Sequence, residues 1–469
     1  MTGPRHSCGV IGAYRTDDVA ADIHKALRII QHRGQDGAGI SVFNGEKVTT
    51  LKGPGLVTDA LKASDIKDLR GKCGIGHVRY PSASNRAERN NEPIEIEMTH
   101  GVIALAHNGA ITNYQELKKK YLDSGWSFFT DSDSELISRI IAKYLIQNND
   151  PVKAIRATMT EIEGAYSLTI LYNNRVFGVR DPYGFRPLCI GRLDGGHILA
   201  SESAVIDMLK GEFVKDISPG EIIEITAESF KSYPSQTHCQ YAHCMFEWIY
   251  FARPDSIIDG EEVYEVRRNV GEILFEESPV DVDLVMPVPD SGRAHALGYS
   301  IASKIRYEEG FMKNRFVERT FILPDQKQRE ATVAIKLNPI RSTVSGKRVL
   351  IVDDSIVRGT TLSKLIKLLR AAGAKEVHVR IGCPPVIAPC YYGVDMKSRD
   401  QFIALKYNVE EIREQMGADS LKYISIPGLV KAVGLQENDL CLACVSNKYP
   451  TKIAGEAYRM QSTLKETYQ

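Results

Sequence analysis

The sequence predicts a two-domain protein, with an α+β amino-terminal domain and an α/β carboxy-terminal domain built on a parallel sheet. The chain has 469 residues, which is more than one ordinary hydrophobic core accommodates. Short β-like runs dominate the first half, whereas strand-like and helix-like patterns alternate in the second. A hydrophobic content of 43% and a charged content of 25% are typical of a globular protein in water.

Charge and cysteine content exclude several classes of protein. Lysine plus arginine and aspartate plus glutamate each number 59, so the formal net charge is zero, which disfavours a nucleic-acid or anionic-membrane surface as the main partner. No apolar run approaches the roughly 20 residues of a membrane span, and Met1 to Ser7 do not resemble a signal peptide. Nine cysteines in such a chain favour reduced thiols, metal ligands or nucleophiles over disulfides. We therefore expect a cytoplasmic protein.

The first half shows strand-like runs interrupted by two helical patterns, near 20–30 and 134–145. The runs are SCGVIGAY, GAGISVF, CGIGHVRY, VIALAHNGAI, AYSLTILYNNRVFGVRD, GHILAS and GEIIEIT. From Thr226 to Ala242 the pattern dissolves, which predicts a linker. We accordingly place the domains at 8–235 and 236–469.

In the second half, strand-like and helix-like segments alternate. VDLVMPV is followed by helical spacing from Arg293 to Tyr307, then by RVLIVDD with its own helix, then by EVHVRIG. This alternation predicts parallel strands joined by crossover helices.

The most informative segment is 348–361, RVLIVDDSIVRGTT. Its apolar run ends in Asp353 and Asp354, small and hydroxyl residues follow around Gly359, and apolar residues then recur at helical spacing. A strand, a turn and a helix N-terminus offer backbone N–H groups to a phosphate, and paired carboxylates accept hydrogen bonds from sugar hydroxyls. A buried strand ending in a helix cap is the alternative, but a cap needs neither two acids nor three hydroxyls. The segment therefore predicts a pocket for a phosphorylated ribose.

This segment resembles the 5-phosphoribosyl 1-diphosphate (PRPP) signature of the type I phosphoribosyltransferases. The resemblance implies that Asp353 and Asp354 hold the ribose hydroxyls. The residues implied to wrap the 5′-phosphate are Ser355, Arg358, Gly359, Thr360 and Thr361.

Cys8, near the amino terminus, is accompanied by four polar clusters: 32–37, 77–80, 107–109 and 132–135. Each piece alone has an ordinary structural explanation, as a small buried thiol, a strand or a turn. In this order and spacing they resemble the N-terminal-nucleophile glutamine amidotransferases over residues 8–225. The fold implied for the whole chain is an N-terminal-nucleophile αββα glutamine amidotransferase domain plus a type I phosphoribosyltransferase domain with a parallel sheet.

The resemblance implies that Met1 to Ser7 form a propeptide whose removal exposes Cys8 as nucleophile. The freed α-amine would be the local base, since its pKa lies near the working pH. Arg79 and Asp133 would bind the α-carboxylate and α-ammonium of glutamine. The oxyanion would be held by Asn108 and Gly109, with Arg33 as a supporting charge near the nucleophile.

This sequence departs from that family's pattern at two places. Ser82 stands where the family commonly has threonine, which keeps a hydroxyl. The segment before Cys8 ends in PRHS, without the acid expected near the cleavage point, so the resemblance leaves the efficiency of cleavage open.

Taken together, the two halves resemble the amidophosphoribosyltransferases of purine synthesis. Further residues fit this resemblance: Tyr250, implied to couple the two sites, and Ser291, implied to bind diphosphate. Lys336 is implied to reach the diphosphate from a polar segment, Asp325 to Ile340, that is a candidate lid. A solvated surface lysine is the plain alternative. Mg²⁺ is implied at Ser291, Asp353 and Asp354, because a diphosphate leaving group needs its charge neutralised.

The cysteines of the second half include a C-x-x-C pair near the carboxy terminus. In the Bacillus-like iron–sulfur branch of the family, the resemblance implies a [4Fe–4S] cluster on Cys244, Cys390, Cys441 and Cys444. Four thiolates also suit a structural zinc, so both remain open at this point. Cys239 and Cys383 are expected to be bystanders, and Cys73 and Cys189 to be core residues.

The implied reaction converts glutamine, PRPP and water to 5-phosphoribosylamine, glutamate and diphosphate, with ammonia passing between two sites. The implied regulators are purine nucleotides, and the implied assembly is a dimer or tetramer. Two rival functions remain: another amidotransferase sharing only the first half, and a non-catalytic PRPP- or nucleotide-binding regulator. The Asp353–Asp354 motif argues against the first rival, and the intact Cys8 set argues against the second.

Overall fold

Two antiparallel sheets account for most of the first half of the chain. The computed structural model describes residues 8–80, 88–99, 101–227, 229–236, 240–314, 337–396 and 399–453. The strands of this half are β1 (Gly9–Arg15), β2 (Gly37–Phe43), β3 (Val48–Pro54), β4 (Cys73–Arg79), β5 (Ile94–Met98), β6 (Gly101–Ile111), β7 (Gly164–Tyr172), β8 (Arg175–Arg180), β9 (Cys189–Leu193), β10 (Gly196–Ala200), β11 (Glu212–Asp216), β12 (Ile222–Ile225) and β13 (Phe230–Tyr233). In the described part of the chain, one sheet has the order β11-β9-β10-β1-β4-β2-β3 and the other β13-β12-β8-β7-β6-β5.

Helices cover the outer faces of both sheets. They are α1 (Ala20–Ile29), α2 (Val57–Ala60), α3 (Ala63–Asp68), α4 (Tyr114–Asp123), α5 (Asp133–Asn148), α6 (Pro151–Glu161) and α7 (Ala204–Met208). Ile23 and Leu27 of α1 pack on the first sheet, and Ile137 and Ile140 of α5 pack on the second. A third apolar cluster fills the space between the sheets, and it joins strands β1 and β4 to β6, β7 and β8. The layers are therefore αββα, which confirms the prediction.

The second half is built around a parallel sheet. Its strands are β14 (His243–Cys244), β15 (Ile257–Ile258), β16 (Glu261–Glu262), β17 (Leu284–Pro287), β18 (Phe311–Lys313), β19 (Leu337–Pro339), β20 (Arg348–Asp353), β21 (Glu376–Ile381), β22 (Ser420–Tyr423) and β23 (Leu440–Cys441). Its helices are a π-helix at Glu247–Phe251, then α8 (Val263–Glu277), α9 (Arg293–Ser303), α10 (Arg341–Val344), α11 (Thr360–Ala371), α12 (Val409–Met416), α13 (Ile426–Val433) and α14 (Ala443–Ser446). Strands β17, β20, β21 and β22 lie side by side in that order, all parallel.

Short 3₁₀ turns complete the described elements, at Glu88–Asn90, Arg399–Gln401, Ile403–Leu405 and Glu437–Asp439. Within the residues that the structure describes, no helix combines the length and the apolar character needed to cross a membrane. Cys73 and Cys189 are buried in β4 and β9, as predicted.

Two details of the sequence-based prediction are wrong. The predicted linker contains β13, which pairs with β12 from Ile222↔Tyr233 to Ile225↔Phe230. An edge strand buries only one face, so its composition can be too polar to stand out from a loop. The helix predicted to reach Tyr307 ends at Ser303, because Lys304 adopts a left-handed conformation with φ of 59° and turns the chain away.

A buried charged group joins the two halves near β8 and β11. Arg180 donates to both carboxylate oxygens of Asp259, at 2.6 and 2.8 Å, and Asp216 accepts a hydrogen bond from the Gly260 N–H at 3.3 Å. Burial, followed by the charge of Asp259, raises the pKa of Asp216 to about 7. Asp216 therefore holds a proton in the folded protein at a pH where an exposed aspartate is ionised.

Asp216→Asn is expected to stabilise the protein at pH 8 and to have less effect at pH 5.5. A folded-state pKa above the unfolded value of about 4 gives stability that is present at low pH and is lost as the pH rises through about 7. Asparagine does not ionise, so the variant keeps this stability at high pH. The apparent midpoint of thermal unfolding should therefore rise by about 3 °C at pH 8. The control is Asp194→Asn at an exposed position. A gain that is equal at both pH values would contradict the expectation.

Candidate active sites

The Cys8 thiol lies at the start of β1, beside the end of β4. Its Sγ is 3.8 Å from the Tyr80 carbonyl oxygen and 3.5 Å from the Tyr80 nitrogen, and Arg33 Nε donates to the Cys8 carbonyl at 3.1 Å. Burial first, and then the charge of Glu92, raise the pKa of the Cys8 thiol to about 11. Cys8 therefore needs a base that removes its proton before it can act as a nucleophile.

The predicted glutamine-binding residues lie near this thiol. Charges on Arg79 and Asp133 both act on Cys8, with opposite signs. Arg79 ends β4, is almost completely buried, and donates to Asn91 Oδ1 at 2.8 Å. Asp133 begins α5 and accepts a hydrogen bond from the Ile111 N–H at 3.2 Å. One cationic and one anionic side chain thus act on the Cys8 thiol.

Asp133 is kept ionised by its surroundings. Its Oδ1 lies 3.6 Å from His107 Nδ1. Burial opposes ionisation, but the charge and hydrogen bond of His107 outweigh it and lower the pKa of Asp133. His107 in turn is held by Glu92, whose Oε2 accepts the His107 backbone N–H at 2.6 Å. Sequence reasoning missed Glu92, because it lies between polar and apolar residues without a recognisable pattern.

The Asn108 side chain is buried with its polar atoms unpaired. It is fully buried on β6, and neither Oδ1 nor Nδ2 of its side chain has a hydrogen-bond partner. Buried polar atoms are almost always satisfied in folded proteins, and an unsatisfied pair costs on the order of 1–3 kcal/mol per group. The side chain is therefore suited to bind a polar group of a substrate.

Gly109, the next residue, is confined by its neighbours. Its φ is 151°, and a Cβ there would lie 2.1 Å from the Ala165 carbonyl oxygen, so no other residue fits. Gly393 of the second half packs against it, since a Cβ on Gly393 would lie 2.8 Å from the Gly109 carbonyl carbon. The second half thus forms part of the wall beside Asn108 and Gly109.

The predicted ribose-phosphate pocket lies at the carboxyl end of β20. Asp353 and Asp354 are each 3% exposed, and Ser355 Oγ donates to Asp354 Oδ1. Gly359 caps α11 with φ of 73°, and Thr360 and Thr361 are the first residues of that helix. Burial, and then the charge of Asp354, raise the pKa of Asp353 well above its usual value. Two acids therefore share a site that favours binding of hydroxyl groups or a cation.

Neighbouring loops meet at this edge of the sheet. Ser291 follows β17, the strand beside β20, and its side chain hydrogen-bonds with Asp354. Arg358 lies in the loop before α11, and its side chain bonds with Gln401. Tyr250 lies on the π-helix, with its ring centroid 5.6 Å from that of Phe251.

Several residues named in the sequence analysis lie outside the described residues. They are Lys336 and the rest of 325–336 in the candidate lid, Ser82, Cys239 and Met1 to Ser7.

The cysteines assigned to a cluster surround one cavity. Parallel pairing of β14 with β23 places Cys244 opposite Cys441. A small cavity of about 20 Å³ is lined by four cysteines and by apolar and aromatic side chains, namely Cys244, Cys390, Cys441, Cys444, Phe185, Phe246, Tyr392, Val394, Met396 and Ala443. Burial raises the pKa of Cys244 to about 11, and those of Cys441 and Cys444 also rise. Cys383 does not line this cavity.

Four thiols that face one cavity are a donor set for a metal centre. Within the described residues, no set of three or more His, Cys, Asp or Glu side chains is arranged to hold a single metal ion. A tetrahedral zinc site needs four ligands within about 2.3 Å of one point. The four thiols line one shared space, and this donor set suits an iron–sulfur cluster as well as zinc.

A buried ion-pair network connects the two halves, and sequence reasoning missed most of it. Arg33 donates to Glu202 at 2.6 Å and to both oxygens of Glu247, at 2.9 and 3.0 Å. Arg186 donates to Glu247 at 3.0 Å, and its Nη1 lies 3.8 Å from Cys244 Sγ. These partners are separated by up to 214 residues in sequence. The sequence feature that could have indicated this network is Glu247, a single acid inside the apolar run FEWIYF.

Comparisons with known proteins match each half of the chain to a different domain family. A family described as "Glutamine amidotransferase domain" matches residues 81–208, and one described as "Phosphoribosyl transferase domain" matches residues 259–384. An amidophosphoribosyltransferase of Methanocaldococcus jannaschii is 47% identical over 96% of this chain and 98% of that protein.

Two solved structures superpose closely. One, described as the allosteric regulatory enzyme of purine biosynthesis, has a TM-score of 0.91 at 40% identity and covers 96% of this chain and 97% of that chain. The other, the PRPP amidotransferase of Bacillus subtilis complexed with ADP and GMP, has a TM-score of 0.90 at 40% identity, with 96% and 98% covered. The chain therefore belongs to the amidophosphoribosyltransferase family, and it is a pentosyltransferase of the first step of purine synthesis.

Proposed function

We propose that Cys8 releases ammonia from glutamine and that the Asp353–Asp354 site transfers this ammonia to C1 of PRPP. The products are glutamate, 5-phosphoribosylamine and diphosphate. The observation that carries this proposal is Asn108, whose buried side chain has both polar atoms unpaired. Asn108 follows His107, the partner of Asp133, whose charge acts on Cys8. A site that holds two unsatisfied polar atoms in a dry environment is suited to a charge that develops during reaction.

In the first site, removal of Met1 to Ser7 would leave Cys8 with a free α-amine. That amine takes the thiol proton, which the raised pKa of the thiol makes necessary. Sulfur then bonds to the amide carbon of glutamine, and the carbonyl oxygen becomes an anion held by the Asn108 side chain and the Gly109 N–H. Collapse of this intermediate expels ammonia with the transferred proton and leaves a thioester. Water hydrolyses the thioester to glutamate.

Glutamine is oriented by the two charged residues beside Cys8. Arg79 binds the α-carboxylate and Asp133 binds the α-ammonium, which its lowered pKa supports because the carboxylate stays ionised. His107 and Glu92 hold Asp133 and the Asn108 strand in place. Arg33 fixes the Cys8 carbonyl and so the position of the thiol.

In the second site, Asp353 and Asp354 accept hydrogen bonds from the ribose hydroxyls, and the loop from Ser355 to Thr361 holds the 5′-phosphate at the start of α11. Ser291 contacts the diphosphate, and Lys336 would reach it from the lid. The ammonia nitrogen bonds to C1 as the C1–oxygen bond breaks and diphosphate leaves with the electron pair. Mg²⁺ would be held by Ser291, Asp353, Asp354 and substrate oxygens, and it supplies charge neutralisation to the diphosphate.

The cavity lined by Cys244, Cys390, Cys441 and Cys444 is proposed to hold a [4Fe–4S] cluster. Four thiols that line one mostly apolar cavity support this. When bound, the cluster supplies a cross-link between β14, β23 and the 390–396 segment, and no electron transfer belongs to the reaction. The expected assembly is a dimer or tetramer, and purine nucleotides are the expected inhibitors, since the Bacillus subtilis relative was solved with ADP and GMP.

The test is the rate of glutamate release from glutamine, with and without PRPP and Mg²⁺, in anaerobically purified protein. We expect strong stimulation by PRPP, because ammonia is useful only when its acceptor is bound. Release that is indifferent to PRPP would refute the coupling of the two sites. An absence of release in protein with a free Cys8 amino terminus would refute the first site.

A further inference from the structure

His295 is a fully buried histidine in the first turn of α9, next to the 288–292 loop that carries Ser291. Its ring Nδ1 lies 3.2 Å from the carbonyl oxygen of Ser291. A carbonyl oxygen only accepts hydrogen bonds, so Nδ1 carries the proton and donates. The next carbonyl along the chain, that of Gly292, accepts the backbone N–H of Ala296 at 2.9 Å, as in an ordinary helical turn. The Ser291 carbonyl, in contrast, is held by a side chain.

The opposite edge of the same ring packs against the backbone of Gly382, which follows β21. A Cβ on Gly382 would lie 2.8 Å from His295 Cδ2 and 3.0 Å from Nε2, so the ring fills the space that a side chain would need. The Gly382 N–H donates to the Asp353 carbonyl oxygen at 2.9 Å. One imidazole therefore contacts both the Ser291 loop and the residue that holds the backbone of Asp353.

The base of the 288–292 loop is fixed without His295. The Val288 N–H donates to the Val352 carbonyl oxygen at 2.9 Å, and a Cβ on Gly292 would lie 2.4 Å from the same oxygen. These backbone contacts join the loop to the end of β20. Loss of the imidazole should therefore leave the loop attached and release only the Ser291 peptide.

The second ring nitrogen of His295 is unsatisfied. Nε2 is buried and has no hydrogen-bond partner among the residues that the structure describes. A buried nitrogen without a partner lowers stability, whereas an apolar side chain of similar size has no such cost. Packing alone therefore does not explain a histidine at this position, and the Nδ1 donor does.

We propose that His295 is a positioning residue for the diphosphate of PRPP. This inference rests on the proposed function and deepens it. The Nδ1–H holds the Ser291 peptide so that the Ser291 hydroxyl faces the diphosphate beside Asp353. Without this donor the Ser291 peptide is free to rotate, and PRPP must order it on binding, which weakens binding. The chemistry at Cys8, in the first half, does not depend on this contact.

The test compares three substitutions of His295 that differ in where they place a donor. In His295→Asn the amide nitrogen takes the place of Nδ1 and donates to the Ser291 carbonyl. In His295→Gln the amide nitrogen lies one bond further out, near the position of Nε2, and His295→Leu has no donor. The matched control is His24→Leu on α1, a half-buried histidine whose Nε2 also has no partner among the described residues. The readouts are KM for PRPP and kcat with ammonia as nitrogen donor, and glutamate release without PRPP.

We expect His295→Leu and His295→Gln to raise the KM for PRPP about tenfold, with kcat changed less than about threefold, as loss of one ordering hydrogen bond would do. His295→Asn and His24→Leu should keep a KM within about twofold of wild type, and glutamate release without PRPP should stay within about twofold in every variant.

An unchanged KM in both His295→Leu and His295→Gln, or an equal defect in His295→Asn, would overturn the proposal. If His295→Leu does not fold, which loss of its glutamate release would reveal, the comparison of His295→Asn with His295→Gln decides. Wild-type protein that releases no diphosphate from PRPP and ammonia would instead refute the proposed function.

Discussion

Cys8→Ala is expected to abolish glutamine-dependent synthesis of phosphoribosylamine while leaving ammonia-dependent synthesis intact. Removing a catalytic nucleophile typically lowers kcat by a factor on the order of 10⁴ to 10⁶. Cys8 lies in the first half, where the charges of Arg79 and Asp133 act on it, whereas Asp353 ends β20 in the second half. External ammonia bypasses the thioester, so the second site should keep its turnover within about twofold.

The measurement is diphosphate release with glutamine and, separately, with ammonium at alkaline pH. The ammonia-dependent rate of the same preparation is the internal control for folding. Glutamine-dependent turnover above about 1% of wild type would contradict the assignment of Cys8 as nucleophile. Loss of both activities would show that Cys8 supports the structure rather than one reaction.

Replacing both Asp353 and Asp354 by asparagine is expected to impair the PRPP site and to spare glutamate release at Cys8. Hydrogen bonds to charged groups contribute about 1.5–3 kcal/mol each, so two lost carboxylates should lower kcat/KM for PRPP by about 10² or more, with either nitrogen donor. Glutamate release without PRPP should remain, because Cys8 and its neighbours are untouched.

The same double variant should be more stable than wild type in the absence of PRPP. Burial and mutual repulsion raise the pKa of this acid pair, which means that ionising it destabilises the folded protein near neutral pH. A raised pKa gives stability that is lost as the pH rises, so the stabilisation by asparagine should grow with pH. Thermal unfolding at pH 6 and pH 8 measures it, with Asp194→Asn as exposed control. A variant that is less stable and fully active would contradict both expectations.

The sequence predicted those parts of the protein that depend on local pattern. The segment 348–361 encodes strand, acid pair, loop and helix within fourteen consecutive residues, and the structure places β20, Gly359 and α11 as predicted. Strand and helix periodicity in the first half predicted an α+β domain, whereas its αββα layers were implied by the resemblance to a family. The proximity of Cys8, Arg79 and Asp133 needed the resemblance to a family, because their separations in sequence say nothing about distance in space.

Long-range charge pairing could not be predicted in this way. Glu202 and Glu247 meet Arg33 only because the two halves pack together, and any buried arginine could in principle take another partner. The π-helix was missed because FEWIYF matches neither strand nor helix periodicity well. Strand β13 was missed because four residues with two polar side chains resemble a loop.

The most direct test of the two-site reaction is the stoichiometry of its products. Wild-type protein is incubated with glutamine, PRPP and Mg²⁺ without ammonium, and glutamate and diphosphate are quantified in the same sample. We expect a ratio of one to one throughout the reaction, because every ammonia released at Cys8 displaces one diphosphate at the Asp353–Asp354 site. Glutamate formed in large excess, or diphosphate formed without glutamate, would contradict a reaction that joins the two sites.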